Sequence, residues 1–424
     1  MCLLLVVTYL GFNAFGLRAA EASPPETKAL AHYTMGIIYD YKGRNDLALR
    51  EYRESLKYNP RGTLARVRLG IDYLILGKEK KALQELEKAK KLDPGNVEAR
   101  FLLGIVYTSK KDFVRAQEEY ESVIEHDPEN LKALSLLADI FVIQEKTKEA
   151  TRIYERLTEK KDKNPVLHFN LGVLYSKLGK NKEAADQFRK AIEIEPEYFE
   201  AYLGLGYICE AEGALTAAIE SYRKALKVDP LSAGVYLHLA DIYSKEGDEE
   251  EAIKNYRIAL SLNPNEVESY CALSYLYIKN ERFKEASKVL EAALAKDLKD
   301  GRIFFCLGAL YEHKNEKKKA AENFRTAIRL DPKLSSAYNY LGYMYVEEGI
   351  KLDEAIFLIK KAVELDPQNG AYLDSLGWAY YKKEMYEEAL RELEKAASLM
   401  RDDPEIERHL EKVREKIKNT EGER

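Results

Sequence analysis

The sequence predicts an all-α protein of about eleven repeated helix-turn-helix units, closed by a capping helix. Three observations predict this fold. A pattern of small, aromatic and turn residues recurs every 34 residues, as in PVLHFNLGVLYSKLGKNKEAADQFRKAIEIEP from Pro165 to Pro196. Position 8 of each unit carries a small residue, and position 20 carries alanine. A period of this length is typical of stacked units that contact only their neighbours.

The small residues predict two helices packed closely in each unit. With Pro165 as position 1, position 8 holds Gly36, Gly70, Gly104, Ala138, Gly172, Gly206, Ala240, Ser274, Gly308, Gly342 and, one residue out of step, Gly377. Position 20 holds Ala48, Ala82, Ala116, Ala150, Ala184, Ala218, Ala252, Ala286, Ala320, Ala355 and Ala389. Glycine costs about 1 kcal/mol relative to alanine inside a helix, and close approach of the two backbones offsets that cost.

This period and residue order resemble the tetratricopeptide repeat (TPR) family over residues 29–403. The resemblance implies a right-handed superhelical solenoid with a concave groove lined by the first helix of each unit. It also implies a scaffold that binds proteins and has no enzymatic activity.

Turn signals separate the helices of the array. Glycine at position 15 predicts a left-handed end to the first helix in six units: Gly43, Gly77, Gly179, Gly213, Gly247 and Gly349. An Asn-Pro, Asp-Pro or Glu-Pro pair ends most second helices, because proline disfavours helix at the residue before it. The fourth and eighth units lack that pair, so we expect looser packing or altered curvature there. The tenth unit is one residue longer, which predicts a wider turn near Ile350.

Residues 404–424 predict a capping helix with a polar tail. Ile406, Leu410, Val413 and Ile417 form one narrow apolar stripe among charged residues. A helix with one apolar face and one polar face is what the exposed end of a repeat array requires.

The N-terminus predicts export. Residues 2–17 form an apolar run, and Ala20-Glu21-Ala22 follows as a small-x-small cleavage pattern. Residues 1–22 are therefore predicted to be a signal peptide, followed by a proline-containing linker over residues 23–28. The basic residue that normally precedes such a run is missing, so an uncleaved membrane anchor is the alternative. We expect a periplasmic or exported chain.

Composition disfavours several classes of function. The net charge of -5, with both signs abundant, does not suit nucleic-acid binding. The six histidines have no partners spaced as in a catalytic triad, and the four cysteines form no CxxC pair, so we predict no enzyme, metal or cofactor. Cys271 and Cys306, at positions 5 and 6 of adjacent units, would approach each other; the alternative is that both are small apolar fillers.

The partner-binding residues are expected on the first helices, at positions 2, 5, 9 and 12. These point away from the second helix, and the TPR resemblance places them in the groove. The predicted groove residues are Phe169, Tyr207, Tyr275, Asn339, Tyr343, Asp374, Trp378 and Tyr381. For any residue at position 5, the alternative is packing against the next unit. Chaperone-tail-binding TPR domains carry Lys at position 5 and Asn at position 9, a pair that no unit here has.

The last two units are expected to carry the main ligand contact. Their groove positions combine the single tryptophan with tyrosines and polar side chains, the composition of a binding hot spot. Their sequence also resembles the C-terminal units of bacterial exported TPR proteins. We therefore expect a scaffold that binds an extended peptide or a partner helix in envelope or secretion-complex assembly. The alternative is a substrate-docking or regulatory subunit of a separately encoded glycosyltransferase or peptidase.

Overall fold

The computed structural model describes residues 24–422, so the predicted signal peptide lies outside the described residues. Within them the chain is helical and contains no strand. In chain order the helices are α1 (Pro24–Tyr41), α2 (Asn45–Tyr58), α3 (Thr63–Ile75), α4 (Glu79–Leu92), α5 (Val97–Ser109), α6 (Phe113–His126), α7 (Leu131–Ile143), α8 (Thr147–Lys160), α9 (Pro165–Lys177), α10 (Asn181–Ile194), α11 (Phe199–Ala211), α12 (Leu215–Val228), α13 (Ala233–Glu246), α14 (Glu249–Leu262), α15 (Val267–Lys279), α16 (Phe283–Ala295), α17 (Gly301–His313), α18 (Lys317–Leu330), α19 (Ser335–Glu347), α20 (Leu352–Leu365), α21 (Gly370–Lys382), α22 (Tyr386–Leu399) and α23 (Pro404–Gly422).

The described chain divides into two compact parts, residues 24–214 with α1 to α11 and residues 215–422 with α12 to α23. Inside each part the first and second helix of a unit pack along their length, and each second helix also packs on the next first helix. Successive first helices touch as well, for example α9 with α11 and α15 with α17. The predicted all-α array of helix pairs is confirmed.

The small residue at position 8 packs against the side chain at position 24 of the second helix. A Cβ atom added to Gly308 would lie 2.5 Å from the ring of Phe324. A Cβ on Gly172 would lie 2.7 Å from the Phe188 ring and 3.2 Å from the carbonyl oxygen of Ala184. Glycine therefore makes room both for the facing side chain and for the backbone at position 20.

Position 15 is left-handed in all eleven units, whether or not it holds glycine. The φ angles lie between 55° and 81° at Gly43, Gly77, Lys111, Glu145, Gly179, Gly213, Gly247, Glu281, Asn315, Gly349 and Glu384. A side chain in this region costs about 1 kcal/mol. The repeat geometry imposes the turn, and glycine lowers its cost where it occurs.

Three expectations about irregular segments are refined. Pro24 begins α1, so residues 24–28 are helical and not a linker; proline suits the first turn because its missing N–H would have no partner there. The wider turn of the tenth unit is present, with both Gly349 and Lys351 left-handed. The fourth unit keeps a full second helix, whereas α16 ends earlier and Asp297 is left-handed.

Tyrosines at position 11 join adjacent units through their hydroxyl groups. The Tyr175 hydroxyl donates to Glu155 Oε1 at 2.7 Å, across α8 and α9. The Tyr277 hydroxyl accepts from Arg257 Nη2 at 2.9 Å, across α14 and α15. Each partner occupies position 25 of the preceding second helix, so the ring is buried between units while its hydroxyl is satisfied.

Two carboxyl groups meet between the first and second units. Asp40 of α1 accepts a hydrogen bond from the Tyr52 hydroxyl through Oδ2. Asp40 Oδ1 and Asp72 Oδ2 are buried and have no hydrogen-bond partner among the described residues. Burial and the nearby Asp40 carboxylate raise the pKa of Asp72 to about 8. At neutral pH, Asp72 therefore keeps its proton, which removes the repulsion between two charged carboxylates.

Two helical glycines are expected to respond to alanine with opposite signs. Gly308→Ala places Cβ against Phe324 and should lower the free energy of unfolding by about 1–3 kcal/mol. Gly234→Ala meets no atom within 4 Å and should raise it by up to about 1 kcal/mol. Urea denaturation followed by circular dichroism measures both, and a loss of stability in Gly234→Ala would contradict the packing argument.

The carboxyl pair predicts that the first two units lose stability as pH rises. The folded chain holds the Asp72 proton up to about pH 8, whereas an ordinary aspartate releases it near 3.8. Between these values the folded state binds more protons than the unfolded state, so stability falls with rising pH and levels off above the folded pKa. Asp72→Asn should remove this dependence. Hydrogen exchange in α1 and α3 across this pH range tests it, with the exposed Asp46→Asn as control.

Candidate functional site

Nine of the fifteen exposed large apolar side chains of residues 24–214 lie at four positions of the first helices. These are positions 2, 9, 12 and 13, which follow one another at helical spacing. We call this set the apolar stripe: Leu30, Ile37, Tyr41, Leu64, Ile75, Val142, Ile143, Val166 and Tyr207. Leu64 and Ile75 are about half exposed, at 53% and 48%. Large apolar side chains left in water on the same face of several helices are typical of an interaction surface.

Position 5 does not line an open groove. No residue at this position is exposed in the described units. Its side chain contacts position 6 of the next first helix, as where the rings of Phe305 and Tyr340 meet edge to face at 5.1 Å. Phe169 packs on Phe188 and Tyr198, at ring distances of 5.7 Å and 5.5 Å. The alternative of packing between units therefore describes this position.

Two more predicted groove residues at position 5 are buried. Asn339 of α19 is enclosed, and its Oδ1 has no hydrogen-bond partner among the described residues. Asp374 of α21 accepts a hydrogen bond from His409 of α23, with Oδ1 and Nδ1 2.9 Å apart. The expectation that Asn339 and Asp374 face a ligand is wrong, because both are buried, and Phe169 packs on rings of its own unit and at the start of the next.

The C-terminal helix α23 also covers the tryptophan. The ring of Trp378 stacks between two rings, with centroids 4.1 Å from His409 and 4.7 Å from Tyr381. Its Nε1 donates to Glu347 Oε1 at 2.9 Å, and only 6% of the residue is exposed. Trp378 is therefore part of the joint between α19, α21 and α23. The expectation of an exposed hot spot at this residue is wrong.

Tyr343 and Tyr381 lie beside this joint and are half-buried. Burial, together with the negative charges of Glu347, Glu405 and Asp374, raises the pKa of Tyr343 to about 12. Tyr343 therefore stays neutral at any physiological pH. Its neighbour Glu405 belongs to the first turn of α23, so this groove position also faces the chain's own C-terminal helix.

The two remaining predicted residues are exposed as expected. Tyr207 and Tyr275 occupy position 9 of α11 and α15, and 44% and 66% of each is exposed. The position of Tyr207 and Tyr275 on the first helices suits partner contact, which stays a prediction.

Tyr340 on α19 has a raised pKa, because it is partly buried and lies near the negative charge of Glu312.

The sequence carries a signal for the covered C-terminal end. Asp374 and His409 fall at positions 5 and 6 of successive 34-residue steps, the pair of positions that meet throughout the array. Had α23 been aligned with the first helices, this pairing would have followed. The predicted apolar stripe of α23 is confirmed, with Ile406, Leu410 and Val413 buried.

Other kinds of site find no support in the described part of the chain. Residues 24–422 contain no group of three or more His, Cys, Asp or Glu side chains placed to hold a metal ion. No helix within the same range has the length and apolar character needed to cross a membrane.

Because Trp378 is the single tryptophan, its fluorescence should report the docking of α23. Val413→Asp places a charge at a fully buried position of α23 and should release the helix, shifting the emission to longer wavelength as the indole meets water. The exposed Glu415→Lys on the same helix is the matched control and should leave the spectrum unchanged. An unshifted spectrum in Val413→Asp, with helicity retained, would contradict the assignment of α23 as the cover.

Family profiles match most of the described array. The profile described as "Cilia and flagella-associated protein 70 C-terminal domain" matches residues 164–366. Profiles described as tetratricopeptide repeat match residues 33–97, 73–140, 107–168 and 371–403. A search of curated proteins gives no match.

Solved structures show the same kind of fold. Yeast Tom70 aligns with a TM-score of 0.52 at 18% identity, over 93% of this chain and 96% of that chain. Naa15/Naa10 bound to HypK-THB aligns at 0.49 and 19%, over 89% and 64%. The C-terminal part of a TPR repeat-containing protein from Cytophaga hutchinsonii aligns at 0.48 and 16%, over 57% and 99%. With the tetratricopeptide repeat profiles in register with the 34-residue pattern, the chain belongs to the tetratricopeptide repeat family.

Proposed function

We propose that this chain is a scaffold that binds an amphipathic helix or an extended peptide along the apolar stripe of residues 24–214. The observation that supports the proposal is the concentration of exposed aliphatic side chains on one face of α1, α3, α7 and α9. A third of the chain's residues are charged, so these exposed aliphatic positions stand out from their surroundings. Burying them against a partner is favourable at about 25 cal/mol per Å².

The repeat explains why the occupant is elongated. Position 9 holds Ile37, Ile71 and Ile105 on α1, α3 and α5, one aliphatic side chain for each successive first helix. A ligand that crosses these helices meets a contact at each step. Helices with apolar residues on one face, and extended segments with alternating apolar residues, present regularly spaced contacts of this kind.

We propose that the scaffold works in the assembly of an envelope or secretion complex, in the periplasm or as an exported protein. Support comes from the apolar run at residues 2–17 and the cleavage pattern Ala20-Glu21-Ala22. N-terminal sequencing of the protein purified from its native host should give Ser23 as the first residue. Recovery of the intact N-terminus would instead favour the membrane-anchored alternative.

Charge introduced into the apolar stripe should abolish partner capture. Leu64→Asp and Ile75→Asp each place a carboxylate where the partner's apolar face would have to be buried, and each should lower affinity about tenfold or more. The measurement is capture by the purified chain from envelope and cytosolic fractions, quantified for the partner that the unmodified chain retains at constant stoichiometry.

Val114→Asp is the matched control for this experiment. Val114 is an exposed aliphatic residue, at 65%, but lies on the second helix α6 outside the stripe. Loss of capture in all three variants, or in none, would count against the stripe as the binding face. Recovery of a single stoichiometric enzyme would favour the enzyme-docking alternative over the assembly scaffold.

A further inference from the structure

Two cysteines on successive first helices occupy the pair of positions that meet throughout the array. Cys271 is at position 5 of α15, and Cys306 is at position 6 of α17. The same step brings Asp374 Oδ1 to 2.9 Å from His409 Nδ1. Contact between positions 5 and 6 is thus a property of the repeat, and at α15 and α17 it joins two thiols.

The two cysteines lie close enough to interact. Helices α15 and α17 pack on each other, and the Cys271 and Cys306 thiols affect each other's pKa. A cysteine side chain ends one bond beyond Cβ, so sulfur contact requires the two Cβ atoms to be close. A disulfide needs Cβ atoms about 3.5–4.5 Å apart. Two long side chains can meet with their Cβ atoms far apart, but two cysteines that interact must have Cβ atoms close to this separation.

The two sulfurs differ in access and in chemistry. Cys271 is half-buried, whereas only 8% of Cys306 is exposed. The hydrogen bond from Cys271 lowers the pKa of Cys306 and raises that of Cys271. The guanidinium of Arg302, on α17, favours the thiolate form of both. A reagent reaches Cys271 more easily, and Cys306 is disposed to act as the second nucleophile.

We propose that Cys271 and Cys306 form an oxidation site, in which a small-molecule disulfide such as oxidised glutathione converts the two thiols into a disulfide between α15 and α17. Cys271 passes its proton to the Cys306 thiolate as its sulfur attacks one sulfur of oxidised glutathione, and the first glutathione leaves as a thiolate. Once this proton has passed to solvent, the Cys306 thiolate attacks Cys271 Sγ in the mixed disulfide and releases the second glutathione. Two protein thiols are oxidised, one oxidised glutathione becomes two reduced molecules, and the protons pass to solvent.

The crosslink would fix one step of the array. Tyr275 lies one helical turn beyond Cys271 on the same face of α15 and is the most exposed of the predicted groove residues. A covalent link from α15 to α17 would hold this tyrosine at a set distance from the next first helix. It would also restrict the unfolded chain, which raises resistance to unfolding.

The test treats the folded full-length chain with oxidised glutathione, blocks remaining thiols with iodoacetamide, and maps peptides by mass spectrometry. We expect a peptide pair that joins Cys271 to Cys306, and a higher thermal midpoint that dithiothreitol reverses. Cys209→Ser, which removes a half-buried thiol on α11, is the matched control and should leave the crosslink intact. Cys306→Ser should instead accumulate a glutathione adduct on Cys271.

Two results would overturn the proposal. One is a stable glutathione adduct on Cys271 of the unmodified chain with Cys306 still reduced, which would mean that the sulfurs cannot reach bonding geometry. The other is full alkylation of both cysteines after treatment, with the crosslink forming only in urea. Both are read on the unmodified protein, so neither depends on a variant that folds.

Discussion

The contact between position 8 of the first helix and position 24 of the second is the constraint on which the rest of the structure depends. At Gly308 the facing Phe324 ring occupies the space that a Cβ would need, and at Gly172 a Cβ would lie 2.7 Å from the Phe188 ring and 3.2 Å from the Ala184 carbonyl oxygen. This contact sets how near the two helices lie. Helix separation in turn fixes where the other positions point, so position 11 reaches the preceding unit and position 5 the next one. One small residue per unit thereby determines the contacts of all the larger ones.

The pairs of side chains that meet between units differ along the chain. Positions 5 and 6 hold an aromatic pair at Phe305 and Tyr340, a thiol pair at Cys271 and Cys306, and an acid with a histidine at Asp374 and His409. The backbone geometry is common to all of these steps. What differs is the chemistry of the two side chains that meet. A repeat array can thus keep a uniform fold while the side-chain pairs between its units vary.

The sequence predicted the helix pairs, the turns and the cap because each depends on spacing within one or two units. Alanine at position 20 and glycine at position 15 are local signals. A single apolar stripe likewise predicts α23. The site was harder to predict, since exposure depends on the neighbour of each residue. Tyr207 and Tyr275 are exposed, and partner contact at these tyrosines stays a prediction. Trp378 has the same position in its unit but is buried, because the following helix carries His409 where it can stack.

The position of α23 limits where a partner can bind, because this helix covers apolar side chains of the last unit. Pro404 stands 34 residues after the start of α21, so α23 is spaced as the first helix of a further unit. His409 and Lys412 then cover the Trp378 ring from the side on which a further unit would pack. The chain's own helix already buries the aromatic surface that a ligand would seek there. Leu64 and Ile75, on which the proposed binding face depends, are about half exposed, whereas Trp378 is buried. The proposed partner would therefore find exposed aliphatic side chains on α3 and no exposed tryptophan on α21.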